Sequence, residues 1–287
     1  MEKANDTAGR GTTPQQPLVS IITVVLNGAD SLERAIKSVV TQKFRDFEYI
    51  IIDGGSTDGT LDIIRRYESH LTCWISEPDK GLYDAMNKGL RLSKGKWAYF
   101  LGADDYLLDG FSSAAVRLKD DTTLYYGDVY RPAMGRTYDG RFSAYKLACR
   151  NICHQSIFYP ECVWKKFSYN LKYPVFADYD LNLRCFVDDG IQFKYIPDTI
   201  AVFTDEGGLS PTQADKAFEK DKLDLIRATF PSRIHVLMLA RTGLLKFLAV
   251  VGLQRAFTAV YHFFLKVRVR LVPAKGRSGT VKKDEKR

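Results

Sequence analysis

Between Leu18 and Leu101 runs of β-branched apolar residues alternate with stretches of helical spacing, and this alternation limits the possible folds more than any other feature of the chain. Residues 19–26 (VSIITVVL) are almost unbroken Val and Ile. A strand with one wet face shows apolar and polar residues in turn, so an unbroken run predicts a strand covered on both faces. The same grammar then repeats: a helix over 31–40, a strand over 48–53, a helix capped by Asp58 and running through Tyr67, a strand over 72–75, a helix over 80–92 and a strand over 97–101. Strands that alternate with helices build βαβ units, so the expected class is α/β, with a mostly parallel sheet flanked by helices. In such sheets ligands bind beyond the carboxyl ends of the strands, which gathers Asn27, Asp53, the 76–79 turn, Asp104 and Asp105 around one crevice.

The second half is less regular. Residues 123–130 and 136–146 read as strands with a turn at Asp139 and Gly140, followed by a short buried strand over 156–159 and a helix over 178–186. Two short strands, 193–196 and 200–204, precede a closing helix over 212–228. With 287 residues, 45% of them apolar, the chain can bury a core without disulfide or metal staples. Its five cysteines, Cys73, Cys149, Cys153, Cys162 and Cys185, form no CxxC pair and suit reduced thiols in a cytoplasmic protein. The net charge of +8 is unevenly placed: residues 232–287 hold 13 Lys/Arg and two acids, whereas the first 231 hold 29 basic and 32 acidic side chains. That distribution argues against a nucleic-acid surface and isolates a basic C-terminal segment. The polar stretch 1–16 has no apolar h-region and reads as a loose tail. The expected organisation is this tail, a domain over 17–231, a helical segment over 232–272 and a basic tail over 273–287.

Two patterns carry chemistry. Asp104 and Asp105 follow an apolar strand, where adjacent carboxylates call for a cation or several donors. A hard divalent ion, Mg²⁺ or Mn²⁺, held by one or two carboxylates and substrate phosphates fits that pattern, and a solvated loop is the alternative. The second is Ile51-Ile52-Asp53-Gly54-Gly55-Ser56-Thr57-Asp58-Gly59, an acid and a glycine-rich turn in which Gly55 lets backbone approach a ligand. It matches neither the dinucleotide fingerprint nor the P-loop. A zinc site from Cys149, Cys153 and His154 is rejected, because a second ligand pair is missing.

The blocks SIITVVLN, YIIIDGGSTDGT, EPDKGLYDAMNKGL and FLGADD, in this order, resemble the family 2 glycosyltransferases, above all those that build bacterial exopolysaccharide and colanic-acid-type repeats. The resemblance covers residues 17–208. It implies a GT-A fold, a nucleoside-diphosphate sugar donor with UDP as nucleotide, a divalent metal (Mn²⁺ or Mg²⁺) and inversion at the anomeric carbon. Residue by residue it implies donor contacts from Thr23, Asn27, Asp53, Asp84, Asn87 and Asp104, with Asp105 as the metal ligand. Two positions depart from the family: Gly102 stands where many members have an acid, leaving the metal fewer ligands, and Met86 where many have Arg. The segment around Asp178 is similar to the family's acceptor-side motif, with Ala177 in the usual place of a Glu. Asp178 is then the catalytic base that takes the acceptor's proton, the alternative being a helix N-cap. Asp180 should point elsewhere, since residues two apart on a helix do not share a face. His154, Gln155 and Ser156 match a His-Gln-Ser of this subgroup, placing His154 and Gln155 at the acceptor or diphosphate side, or in a polar core. The 203–210 segment resembles a flexible Gly-Gly segment that is either a lid or an inert loop.

Residues 232–271 are apolar with sparse cations, and their longest uncharged run, 256–265, is too short to span a bilayer. On a helical wheel Arg233, Arg241, Arg255, Lys266 and Arg270 share one sector and Lys246 and Arg268 fall outside it, with breaks at Gly243 and Gly252. This suits a helix lying in the membrane interface, and a helical hairpin packed on the domain is the alternative. The combined expectation is a glycosyltransferase at the inner face of the cytoplasmic membrane, acting on a lipid-linked glycan. A silent nucleotide- or glycan-binding module is the rival of another class, separated by metal-dependent donor hydrolysis, and a nucleotidyltransferase would release pyrophosphate instead.

Overall fold

The computed structural model describes residues 16–204 and 214–250; expectations for the N-terminal tail, the Gly207–Gly208 segment and residues 251–287 lie outside them. β1 (Val19–Val25) lies between two parallel neighbours, β2 (Phe47–Asp53) and β4 (Trp97–Gly102), with β3 (Cys73–Ser76) parallel on the outer side of β2. Val25 stands opposite Asp53, Val24 opposite Gly102 and Asp53 opposite Ser76, so the loops that follow these strands share one edge. Beyond β4 the sheet becomes mixed. β8 (Ile157–Pro160) is antiparallel to β4 and to β6 (Thr123–Arg131), β9 (Gln192–Val202) is parallel to β6, and β5 (Tyr106–Leu107) closes antiparallel on β9. β7 (Arg136–Tyr138) pairs with β6 off the main path.

The alternation of the central strands is legible on both faces. Ile21, Tyr49, Ile51 and Tyr99 pack under α1 (Leu32–Val40), α2 (Thr60–Arg66) and α4 (Asp109–Ala115). Ile22, Ile50, Ile52 and Phe100 pack under α3 (Leu82–Leu92), α5 (Ala144–Cys149), α6 (Glu161–Lys166), α7 (Ala177–Val187) and α8 (Lys216–Thr229). Each large apolar side chain withdrawn from water here contributes about 1.5–3 kcal/mol.

Four expectations change. The strand expected over 136–146 stops at Tyr138, because Ser143 accepts the Lys146 N–H at 3.1 Å and starts α5. The two strands expected over 193–204 are one, β9, in which Pro197 and Asp198 sit in a bulge. From Tyr126 to Asp128 on β6 the partner advances from Tyr195 to Thr199, and a side chain at Gly127 would lie 2.6 Å from the Asp198 carbonyl. Bulges absorb residues that cannot serve the ladder. The boundary expected at 231/232 is not a gap in the core: α9 (Ser232–Val250) buries Ile234 completely against the α5 side, with Leu237 and Met238 beside it. Nor does Gly243 break that helix, in which Leu244, Phe247 and Val250 are exposed.

Candidate active site

The loops after β1 and β2 are laced together. Asn27, at φ 52°, gives its N–H to Ser56 Oγ (2.7 Å) and accepts the Thr57 N–H on Oδ1 (2.9 Å). Gly28 N–H reaches Thr60 Oγ1 and Ala29 N–H reaches Asp58 Oδ2. Asp58 therefore ties the two loops, and α2 starts after Gly59 at φ 98°. Asp53 ends β2 fully buried. Its Oδ2 accepts from Gly55 N–H (3.0 Å), Ser56 N–H (3.0 Å) and the Ser76 hydroxyl (2.7 Å), while Oδ1 is buried with no partner. An unpaired buried oxygen is costly, and a donor from a ligand would satisfy it. Gly55, at φ +88°, makes the turn, and a Cβ at Gly54 would lie 2.5 Å from Asp79 Oδ2, so the 76–79 turn closes over it.

β4 delivers the acidic pair. β5 folds onto β9, Tyr106 opposite Val202, and this brings the Thr204 N–H to Asp105 Oδ1 (2.7 Å) and the Thr204 hydroxyl to the Asp104 carbonyl (3.0 Å). Gln155 Nε2 donates to Asp105 Oδ2 at 2.6 Å, and Gln155 is itself held by the Cys153 thiol and the Tyr99 hydroxyl. Burial, with the charge of Asp104 alongside, pushes the Asp105 carboxyl up to about 7, and burial raises Asp104 as well. Such a pair favours a proton or a cation, and its hard oxygens suit Mg²⁺ or Mn²⁺. Among the described residues no group of three or more His, Cys, Asp or Glu is placed to hold a metal ion. A Cβ at Gly102 would lie 2.4 Å from Asp105 Oδ2 and 2.9 Å from Asp104 Oδ1, so a larger residue there would displace the pair.

Asp178 lies in the first turn of α7, two residues after the N-cap position, Phe176. Its Oδ1 accepts the Tyr83 hydroxyl (3.0 Å) and the adjacent Tyr179 N–H (2.8 Å), and its Oδ2 accepts Asn151 Nδ2 (2.8 Å). His154 Nδ1 stands 3.6 Å from the same Oδ2 and is close enough to Asp104 and Asp105 to favour their ionised forms. His154 thus joins the acidic pair to Asp178. Asp180 turns away and pairs with Arg184 at 2.9 Å.

Other expected positions make hydrogen bonds within the fold. Thr23 is fully buried with its hydroxyl 3.1 Å from that of Tyr49, so it presents nothing to the crevice. Asn87 uses both ends of its amide on the Tyr169 backbone. Asp84 accepts the Lys80 N–H at the start of α3. Sequence reasoning missed Thr204, Asn151, Tyr83 and Cys153. Tyr83 and Cys153 lie inside or beside quoted motifs, whereas Thr204 reaches the site only through the β5–β9 pairing.

The sequence profile of Glycosyl transferase family 2 matches residues 20–177. The chain belongs to this family. A PGL/p-HBAD biosynthesis glycosyltransferase of Mycobacterium bovis (strain BCG / Pasteur 1173P2) is 39% identical over 213 residues, 71% of this glycosyltransferase and 83% of that protein. Among solved structures, S. aureus TarS 1–349 in complex with UDP-GlcNAc superposes with a TM-score of 0.60 at 17% identity, over 74% of this chain and 66% of that one. Mannosyltransferase PcManGT from Pyrobaculum calidifontis, in complex with GDP-Man and Mn²⁺, gives 0.58 at 18% identity over 88% and 86%. The shared architecture is the GT-A fold.

Proposed function

We propose that this glycosyltransferase moves one sugar, with inversion, from a nucleoside diphosphate (UDP first) to a hydroxyl of a lipid-linked glycan in surface polysaccharide synthesis at the inner face of the cytoplasmic membrane. The observation that carries this reading is the convergence on His154 of a buried acidic pair and a separate carboxylate, Asp178. The unpartnered Oδ1 of Asp53 accepts from the nucleotide base, and Gly55 gives the donor close approach. Asp104 and Asp105 would hold Mn²⁺ or Mg²⁺, and the bound ion would supply positive charge to the leaving diphosphate. Asp178 takes the proton of the acceptor hydroxyl as its oxygen bonds to the anomeric carbon and the bond to the diphosphate oxygen breaks. The complexes of TarS with UDP-GlcNAc and of PcManGT with GDP-Man and Mn²⁺ support a nucleotide-sugar donor and a divalent ion.

The membrane reading has support in α9. Its outer face exposes Val236, Leu239, Leu244, Phe247 and Val250, and no acid occurs between Ser232 and Lys283. No helix among the described residues is long and apolar enough to cross a membrane. An exposed apolar helix face on a basic, acid-free segment suits the interface of an anionic bilayer. The test of the whole reading is a panel of nucleotide sugars assayed for nucleoside diphosphate release with Mn²⁺, Mg²⁺ or EDTA. Release should depend on the ion and vanish in Asp105→Ala. Metal-independent release, or pyrophosphate release from a nucleoside triphosphate, would overturn it.

A further inference from the structure

Behind Asp178 a file of hydrogen bonds leads back into the core. Asn151 Nδ2 donates to Asp178 Oδ2 (2.8 Å), Asn182 Nδ2 donates to Asn151 Oδ1 (2.7 Å), and the Tyr159 hydroxyl donates to Asn182 Oδ1 (3.0 Å). Asn182 is fully buried on α7, one turn beyond Asp178, and Tyr159 on β8 is 1% exposed. Side chains four apart on a helix share a face, so α7 itself sets the spacing of the two ends that Asn151 bridges.

The direction of every bond in the file follows from the charge at its head. An ionised carboxylate only accepts, so Asn151 must turn its NH₂ to Asp178 and its carbonyl oxygen to Asn182. Asn182 must then present its NH₂ to Asn151 and its oxygen to Tyr159, which must donate. Reversing any amide sets oxygen against oxygen somewhere in a buried file, at the cost of an unsatisfied polar group. We propose that Asn151 is a positioning residue for Asp178, locked in its donating orientation by Asn182 and Tyr159. This rests on the reading of Asp178 as the base. The file fixes the plane of the carboxylate and keeps an N–H donor on its Oδ2. The other groups that face Asp178 are the Tyr83 hydroxyl from α3 and His154 from the turn before β8, with the Cys153 thiol and the Tyr169 hydroxyl within electrostatic reach.

The test is a set of variants, Asn151→Ala, Tyr159→Phe, Asp178→Asn and the double Asn151→Ala/Asp178→Asn. Each is assayed for Mn²⁺-dependent nucleoside diphosphate release from the best donor among UDP-glucose, UDP-galactose, UDP-GlcNAc and GDP-mannose, across pH. Asn151→Ala should lower kcat by about 10- to 100-fold, the usual range for an outer-shell partner, with donor KM within about twofold and the acid limb of the pH profile moved upward. Tyr159→Phe removes one oxygen from a well-packed ring and should give a smaller loss of the same kind. Added to Asp178→Asn, the Asn151 change should cost nothing more, because its effect passes through the carboxylate. A folded Asn151→Ala enzyme with wild-type kcat and pH profile, or losses that multiply in the double variant, would overturn the positioning role. Wild-type turnover in Asp178→Asn would instead overturn the base on which it rests.

Discussion

Replacing Asp105 by Asn should abolish transfer and, at pH 8 without metal, make the protein more stable. The carboxyl ordinarily titrates near 3.8 and is pushed up to about 7, first by burial and then by Asp104. A group whose folded pKa lies above its unfolded value holds its proton more tightly in the native state. Its stabilising contribution is complete below about 3.8 and is lost as pH rises through about 7. A shift of about three units corresponds to about 4 kcal/mol, of which about 2–3 kcal/mol disappears between pH 5 and pH 8. Asn carries no such dependence. Against this, Asp105 accepts two hydrogen bonds, from Thr204 N–H and Gln155 Nε2, and an amide satisfies only one of them, a mismatch worth about 1–3 kcal/mol. The variant should therefore gain about 1–3 kcal/mol at pH 8 and almost nothing at pH 5. Urea unfolding in EDTA at both pH values measures this difference, from which the mismatch cancels. Added Mn²⁺ at pH 8 should stabilise the wild type and leave the variant little changed. Equal effects of the substitution at pH 5 and pH 8 would refute the argument from burial.

Asp178→Asn should lower transfer by about 10²- to 10⁴-fold, the usual contribution of a general base, with UDP affinity in Mn²⁺ unchanged by calorimetry. Ile234→Ala should cost about 2–5 kcal/mol in urea unfolding, as for other large-to-small changes in a closed core, which would confirm that α9 begins as part of the domain. The pair Leu239→Gln and Phe247→Gln, at half-exposed and exposed positions, should leave unfolding unchanged and reduce sedimentation with phosphatidylglycerol vesicles. Salt should weaken that binding only in part, because ions do not screen the apolar contribution.

The parallel half of the sheet was legible because its strands are covered on both faces and its helices carry a clear period. That the loops carrying Asn27, Asp53, the 76–79 turn and Asp104 with Asp105 share one edge of the sheet followed from strand direction alone. Residues 136–146 misled for a physical reason: the buried run 144–148 satisfies either period, and only the Ser143 cap decides for a helix. The stretch 193–204 is one strand rather than two because a strand can continue past Pro197 when a bulge removes it from the ladder. Thr23 and Asn87 were assigned by motif to the donor, yet a hydroxyl facing Tyr49 and an amide facing the Tyr169 backbone are long-range facts. Thr204 lies 99 residues from the carboxylate it contacts, a separation that no local pattern encodes.

On the proposed reading, few protein ligands would hold the ion at this site. Two adjacent carboxylates in a desolvated loop repel each other, and Gly102 brings no third acid while its bare Cα lets both lie close. A hard divalent ion there lacks most of the oxygens it needs until donor phosphates arrive. Ion and donor should therefore bind with positive coupling, each raising the affinity of the other by the same factor. Without either, protonation relieves first the burial of the charge and then the repulsion from Asp104, which is why the Asp105 carboxyl is pushed up to about 7. Thr204 and Gln155 hold Asp105 in place in that interval, so the carboxylate is oriented before its charge is compensated. Asp178 is served by donors from Tyr83 and Asn151. The two carboxylate environments thus differ in kind: one sets two buried acids side by side, where a cation relieves the charge, and the other surrounds a single carboxylate with hydrogen-bond donors.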